Sequence, residues 1–514
     1  MKEQGSFDDL RDDYAAHDRA ESSEPLLKEH LPPLQPSFSI HRVFRINPRL
    51  RRLILMAFAS LSTLSLITFA SVSIFASRPD TLGTVPPPEN IQPETGALET
   101  NSSSLAIQDK VADTPSHSPY VLGPPTQRFR DNLRNDTLYI TSWISAGWTN
   151  DVMTYANLIY LGVLTGRVPL ISVFTPSHVG GEAGNIPFGD VFDVPRFIQD
   201  SGIDIIEWRD VKDPYSPQLE DIGCWNLWES VQYHEHAPRI SSIPDWLQLD
   251  ISYTRTPEWV KMIPNYEHDQ HSTFWSVARF GFSEDRSRYL GNPSPSPHHQ
   301  VTLDPDEQVL CFDYLYYLCA QQSFEYEYDY APAWRFVGTY LRWTPRIEDL
   351  AASYVRRSFG LLESDATPPY ISIHVRHGDF RSWCPSTTAP EDCFAPISAI
   401  ARRVQEVQDE IRERHYVSIP DNRVIVTTDE TDEAWWADVT SRGWVRIDHD
   451  AWQTAQTYGK WYTVILDAAI QSNGLGFIGT DRSTFTTLSR RRVHDWHAGA
   501  TRVVKWGVKD ADAH

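Results

Sequence analysis

Residues 53–76, LILMAFASLSTLSLITFASVSIFA, run for 24 positions without a charged side chain. No other segment constrains the chain as much. A helix of that length reaches roughly 36 Å at about 1.5 Å per residue, enough to cross a bilayer with some tilt. It has no polar face to turn toward water, as a surface helix of a soluble protein would. Arg42, Arg45, Arg49, Arg51 and Arg52 precede it, while Arg78 and Asp80 follow. The positive-inside bias therefore leaves residues 1–52 as a cytoplasmic tail and exports the rest. About 50 polar residues ahead of the run fit a signal anchor better than a cleaved signal peptide. The expectation is a single-pass type II protein of the Golgi or ER membrane, with its bulk in the lumen.

Residues 77–135 are rich in Pro, Ser and Thr, as in TVPPPEN, and hold no lasting hydrophobic period, so they read as a flexible stem. Asn101-Ser102-Ser103 and Asn135-Asp136-Thr137 are glycosylation sequons on the exported side. The formal charge is −22, and the tail is balanced, so all of that charge belongs to the part beyond it. A nucleic-acid partner needs a broad basic surface and is disfavoured. One small anion held by a few arginines is not.

All five cysteines lie beyond the anchor, where disulfides can form. Cys384 and Cys393 flank a short Pro-containing loop and are the best local pair. Cys311 and Cys319 can pair only if the chain between them bends. An odd thiol remains, for which Cys224 is the candidate. No Cys/His cluster suggests structural zinc, and His234-Glu235-His236 lacks a third ligand at regular spacing.

Two blocks of alternating strand and helix signals follow the stem. In the first, residues 138–144 read as a strand, 151–165 as an apolar helix and 168–174 as a second strand, with a Gly-rich loop at 178–185. Residues 205–335 are dense in Trp, Tyr and Pro, with a strand near 309–314; most of those aromatics suit a core, though some could line a groove. In the second block, strands are expected at 370–375, 423–428, 444–447 and 477–479. Ile397, Ile400, Val404, Val407 and Ile411 mark one face of a long helix, and shorter helices are expected near 431–441 and 462–473. This rhythm predicts α/β architecture with parallel sheets. The organisation is an N-terminal Rossmann-like domain over 136–340 and a C-terminal one over 341–514, with ligands in the cleft between strand carboxyl ends.

Two constellations carry the chemistry. His374-Val375-Arg376-His377-Gly378-Asp379-Phe380 ends the strand 370–375. Period 2 puts His374 and Arg376 on one face, and arginine is a forked, permanently charged donor for phosphate. Gly378 permits close backbone approach. The plainer reading is an Arg–Asp pair that ties down a loop. The second runs from Asp467 through the strand GFIGT to Asp481-Arg482-Ser483-Thr484-Phe485, then a helix ending in Arg490, Arg491 and Arg492. Ser483 or Thr484 at a helix N-terminus can bind an anion or simply cap the helix. The three arginines suit the C-terminal end of the dipole and need no ligand.

Together these runs resemble the GDP-fucose protein O-fucosyltransferases, a GT-B-like glycosyltransferase family, over most of residues 138–500. The most specific part is Asp467 through Phe477-Ile478-Gly479 to Ser483-Thr484-Phe485. The resemblance implies that Asp467 reads guanine and that Ser483, Thr484 and Phe485 hold the nucleotide phosphates. His374 and Arg376 match the family's His-x-Arg motif, in which the arginine grips the β-phosphate as GDP departs, and Asp379 matches the acidic residue after it. Gly147-Trp148-Thr149-Asn150 resembles the family's Gly-x-x-Asn turn, which faces donor and acceptor. Thr149 and Asn150-Asp151 stand where a second glycine and an Asn-Gln or Asn-Asn pair are usual. The implied reaction is inverting transfer of fucose from GDP-fucose to a protein Ser/Thr or glycan hydroxyl, with no metal or other cofactor. Arg376, Asn150 and Asp151 are the expected catalytic residues; Asp151 is the candidate base, with Glu182 behind it.

Two other readings stand beside this one. A lumenal protein of the same fold could bind GDP, sugar or a client without catalysis. A metal-dependent GT-A enzyme could use Asp448 and Asp450 of Asp448-His449-Asp450 as a DxD motif, although that motif falls late in the chain, leaving little room for an acceptor half.

Overall fold

The computed structural model describes residues 118–513. The tail, the apolar run 53–76, most of the stem and the sequon at Asn101 lie outside the described residues. Asn135 lies within them and is exposed. Among the described residues, no helix is long and apolar enough to cross a membrane.

The first block builds β1 (Tyr139–Ser142), β2 (Val168–Ile171), β3 (Ile206–Glu207), β4 (Glu220–Asn226) and β5 (Leu249–Arg255). β6 (Ser272–Thr273) and β8 (Leu318–Cys319) form a small separate ladder, and β7 (Val309–Phe312) returns to the main sheet. That sheet has the order β3-β2-β1-β7-β4-β5 and is parallel throughout. β1 and β7 are buried along their whole length, as strands covered on both faces must be. The helix after β1 spans Trp148–Thr165 and begins three residues earlier than its apolar pattern suggested. Its first turn, Trp148-Thr149-Asn150, is polar in part and so lacked the periodic signal.

The second block builds β9 (Ile371–Val375), β10 (Val424–Thr428), β11 (Val445–Arg446), β12 (Gly476–Thr480) and β13 (Ala500–Val504). Their order is β11-β10-β9-β12-β13, again parallel. The chain runs outward from β9 to β11, then crosses back to β12 on the other side of β9. β9 and β12 therefore flank a topological switch point, the place where open α/β sheets hold ligands. One core runs from the first sheet to Leu488 on the helix Thr484–His497. A second, including Ile373, Val404 and Val426, fills the space under the helix Ile397–His415. Most of the aromatics of the middle region are core, as Trp208, Trp225 and Trp334 show.

Two expectations need correction. Cys224 is not the odd thiol: β4 and β7 are neighbours, with Trp225 opposite Phe312. That register sets Cys224 beside Cys311, and the two form a disulfide with Cα atoms 4.6 Å apart. Cys319 is the free, buried thiol, while Cys384 and Cys393 do pair. Nor does the last long helix end at the arginines. It continues to His497, so Arg490, Arg491 and Arg492 sit inside it and serve contacts described below.

Candidate active site

β9 delivers His374 and Arg376 to the carboxyl edge of the second sheet. His374 is buried, its ring stacked on Phe485 at 5.0 Å and its Nδ1 3.0 Å from Thr486 Oγ1. Burial, helped by the positive charge of Arg376, pushes its pKa down to about 3, so the ring is neutral. The Arg376 fork is held by two carboxylates: Nη1 lies 2.9 Å from Asp429 and Nη2 2.9 Å from Asp379. Its backbone N–H donates to Thr480 Oγ1, and that hydroxyl donates to the His374 carbonyl, stitching the ends of β9 and β12 together. Asp429 also accepts the N–H of His377 at 2.8 Å. A Cβ at position 378 would come within 2.4 Å of the Asp429 carboxylate. The close approach that Gly378 permits is therefore to this side chain.

After β12 the chain turns through Arg482, held at φ +64, into the helix Thr484–His497. Ser483 Oγ caps it by accepting the Thr486 N–H at 3.4 Å. The remaining N–H groups of the first turn have no intrahelical acceptor and, with the dipole, make a site for an anion. Position 479 has to be glycine, because a Cβ there would meet Thr486 at 2.3 Å. That closeness brings Thr486 against His374.

Asp467 lies on the helix Trp461–Asn473, with its Oδ1 3.0 Å from Nε2 of His449. Burial pulls the His449 pKa down, but the charge and hydrogen bond of Asp467, with Asp450 and Asp448 behind them, leave it above its ordinary value. The Asp448-His449-Asp450 run is thus built differently from a DxD pair. Asp448 caps the Ala451 N–H and pairs with Arg446, and the middle histidine holds Asp467. Among the described residues, the one group close enough to share an ion is Asp221, Asp250 and His299. It lies at the amino ends of β4 and β5, away from this edge, and neither Asp448 nor Asp450 belongs to it.

The first sheet contributes the turn before the helix Trp148–Thr165. The hydroxyls of Thr149 and Thr484 share a hydrogen bond of 2.7 Å, and Trp148 packs on Phe485 with centroids 6.0 Å apart. The carboxyl edges of the two sheets therefore meet at these residues. Asn150 is half-buried beside them. Asp151 is fully buried, and its Oδ1 accepts the N–H of Ala146 at 3.1 Å. A carboxylate enclosed in this way braces the turn ahead of the helix. Glu182 is exposed and paired with Lys460, and Trp461 Nε1 donates to the Gly184 carbonyl at 2.8 Å. The Gly-rich loop is thereby fastened to the helix that carries Asp467.

Three further parts escaped the sequence reading. Asp429 follows β10 in a Thr-Asp-Glu run whose acidic pair was the available signal. Thr480 and Thr486 had none beyond their neighbours. The arginines on the helix Thr484–His497 bind the first half: Arg491 pairs with Asp329, and Arg490 donates to the Glu327 carbonyl. Arg492 is almost wholly buried, 4.4 Å from the ring centroid of Trp343, which itself stacks on Trp148 at 6.0 Å. Desolvation lowers its pKa to about 9, and π faces take the place of a carboxylate partner.

The family model for GDP-fucose protein O-fucosyltransferase matches residues 168–494. No curated protein matches the chain. Similar solved structures include POFUT1 in complex with GDP-fucose, at 13% identity and TM-score 0.43, covering 73% of this chain and 99% of that one. The NodZ alpha-1,6-fucosyltransferase soaked with GDP-fucose is another, at 15% identity and TM-score 0.32, covering 70% of this chain and 93% of that one. The fucosyltransferase NodZ from Bradyrhizobium is similar at 14% identity and TM-score 0.31, covering 69% and 93%. The family match spans more than half of the sequence and includes both the run His374–Phe380 and the run from Asp467 to Phe485: the chain belongs to the GDP-fucose protein O-fucosyltransferases.

Proposed function

We propose that this enzyme transfers fucose from GDP-β-L-fucose to a hydroxyl, on a protein or a glycan, with inversion at the sugar carbon. One observation carries the reading. Arg376 follows β9 and the helix Thr484–His497 follows β12, so the strand order sets the forked cation and the free N–H groups at neighbouring strand ends of the switch point. His449 follows β11, two strands from β9 or roughly 10 Å along the same edge, and it holds Asp467 of the helix Trp461–Asn473. A nucleoside separates a base from its diphosphate in the same way, which supports assigning the base to Asp467 and the phosphates to Arg376, Ser483, Thr484 and Phe485.

Breaking the bond between fucose and GDP leaves negative charge on the β-phosphate and an oxocarbenium-like sugar; as the acceptor oxygen bonds the sugar carbon, its proton passes to the departing phosphate or to solvent. Arg376 and the helix N-terminus are fixed before the reaction begins, so they stabilise that charge without reorganising. His374, neutral and stacked on Phe485, shapes the wall without adding charge. On this reading the leaving charge needs no metal, and activity persists in excess chelator. The apolar run 53–76 with its arginine flank supports a type II anchor that places this domain in the Golgi or ER lumen.

Arg376→Ala tests the assignment. Release of GDP from GDP-fucose is expected to fall by about 10²–10³, with the melting temperature unchanged. Near-normal turnover by the purified variant overturns it.

A further inference from the structure

His449 sits inside a run with the spacing of a metal motif, yet its contacts point elsewhere. Nε2 lies 3.0 Å from Asp467 Oδ1, and Nδ1 lies 3.0 Å from Thr454 Oγ1. Thr454 is fully buried, and its hydroxyl is 2.7 Å from the Tyr354 hydroxyl, also buried. The imidazole is therefore held from behind by the protein interior and reaches forward to a single carboxylate. That carboxylate is the partly exposed one, with about a quarter of its side chain open to solvent.

We infer that His449 is a positioning residue for base recognition: it fixes Asp467 so that the carboxylate presents its open side to a purine edge carrying two adjacent N–H donors. Each carboxylate oxygen accepts two hydrogen bonds, so the contact with His449 leaves acceptor sites on both oxygens. Guanine offers N1–H and the 2-amino group side by side. Adenine and cytosine pair a donor with an acceptor on that edge, and uracil sets one donor between two carbonyls. A carboxylate that rotates freely meets a two-donor edge poorly; one held by a ring fixed at both nitrogens meets it in a single orientation. The relay functions with a neutral ring, because Tyr354 can donate to Thr454, Thr454 to Nδ1, and Nε2–H to Asp467. This inference rests on the proposed reading of Asp467 as the base contact.

The test uses the full-length chain in detergent, with GDP-fucose as donor and GDP and inosine diphosphate as competing inhibitors. Inosine diphosphate lacks only the 2-amino group. His449→Ala is expected to raise KM for GDP-fucose about tenfold with kcat nearly unchanged, the size of one lost charge-assisted hydrogen bond. The preference for GDP over inosine diphosphate should shrink with it. His449→Gln keeps an N–H donor and should recover most of the affinity, and Thr454→Val should raise KM by a smaller factor. If the alanine variant does not fold, the glutamine and valine variants carry the test. An unchanged KM and an unchanged inhibitor preference overturn the inference, as does a fall in kcat with the preference intact, the mark of a purely structural role. If the unaltered chain binds neither GDP nor inosine diphosphate, the nucleotide reading itself fails, a result distinct from failure at His449.

Discussion

Asp429→Asn isolates what the strand-end carboxylate does for Arg376. The aspartate uses one oxygen for the His377 N–H at 2.8 Å and the other for Arg376 Nη1 at 2.9 Å. An asparagine keeps one acceptor. Whichever way it flips, its amide nitrogen faces a donor, so one of the two contacts is lost. A hydrogen bond to a charged group contributes about 1.5–3 kcal/mol. Roughly a third of the Arg376 side chain and a quarter of Asp429 are exposed, and solvent screening brings the cost to about 1–2 kcal/mol. That is a fall of about 5–30-fold in kcat/KM. It should appear mainly in kcat, because the charge that Arg376 meets grows as the bond to the β-phosphate breaks. Steady-state GDP release, with melting temperature as the control, measures it. A value within twofold of the unaltered enzyme refutes the reasoning. A loss as large as that of Arg376→Ala refutes it too, since Asp429 would then belong to the chemistry and not to positioning.

Thr149→Val removes the hydroxyl bond to Thr484 across the two sheets; losing about 1 kcal/mol should lower kcat/KM for the acceptor about fivefold while GDP affinity, measured by calorimetry, stays put. Burial pushes the Cys319 thiol up to about 12, so the native chain should take no maleimide at pH 7 and one equivalent once unfolded without reductant; labelling at Cys224 would contradict its disulfide with Cys311. Acid should destabilise the fold through His374. Its pKa is about 3 when folded and about 6.5 when unfolded, so below pH 6.5 the unfolded chain gains a proton that the native state refuses, and stability falls by about 2 kcal/mol from pH 7 to pH 5. Urea unfolding at both pH values should show a smaller loss in His374→Gln, and an equal loss in both proteins counts against this account.

What could be read from the sequence was local. β9 and β12 showed as apolar runs ended by polar motifs, because a strand buried on both faces has no other composition open to it. The serine before the last long helix showed as a cap, because capping depends on the residues next to it. What escaped depends on registers set by the whole sheet. Cys224 and Cys311 are 87 residues apart and meet only because β4 and β7 become neighbours. Asp429 reaches Arg376 because β10 lies beside β9, and nothing in the run Thr-Asp-Glu says which strand end it will face. β13 was missed because Ala-Thr-Arg-Val-Val is half-exposed and lacks a continuous apolar signal. The role of His449 escaped for a different reason. A carboxylate on each side is the spacing of a metal motif, but only the position of Asp467 on a separate helix decides what the histidine binds.

The helix Thr484–His497 resolves an apparent conflict between the chain's acidic balance and its anionic donor. Its first turn leaves N–H groups without an intrahelical acceptor, which the proposed function gives to phosphate. About two turns further on, three successive arginines fasten it to the first half: Arg490 to the Glu327 carbonyl, Arg491 to Asp329, and Arg492 against the face of Trp343. Trp496 and Trp334 add bonds on the same side, to the Thr339 carbonyl and to Asp495. On the proposed reading, transfer needs the donor phosphate and the Thr149-Asn150 turn held within a fraction of an ångström of each other. A helix that capped the phosphate but floated against the first sheet could not supply that. Here one rigid element carries its free N–H groups at one end and the fastening to the first half along its length. The run of arginines is not a second phosphate site, because it lies along the helix against the first half of the chain and away from the helix N-terminus.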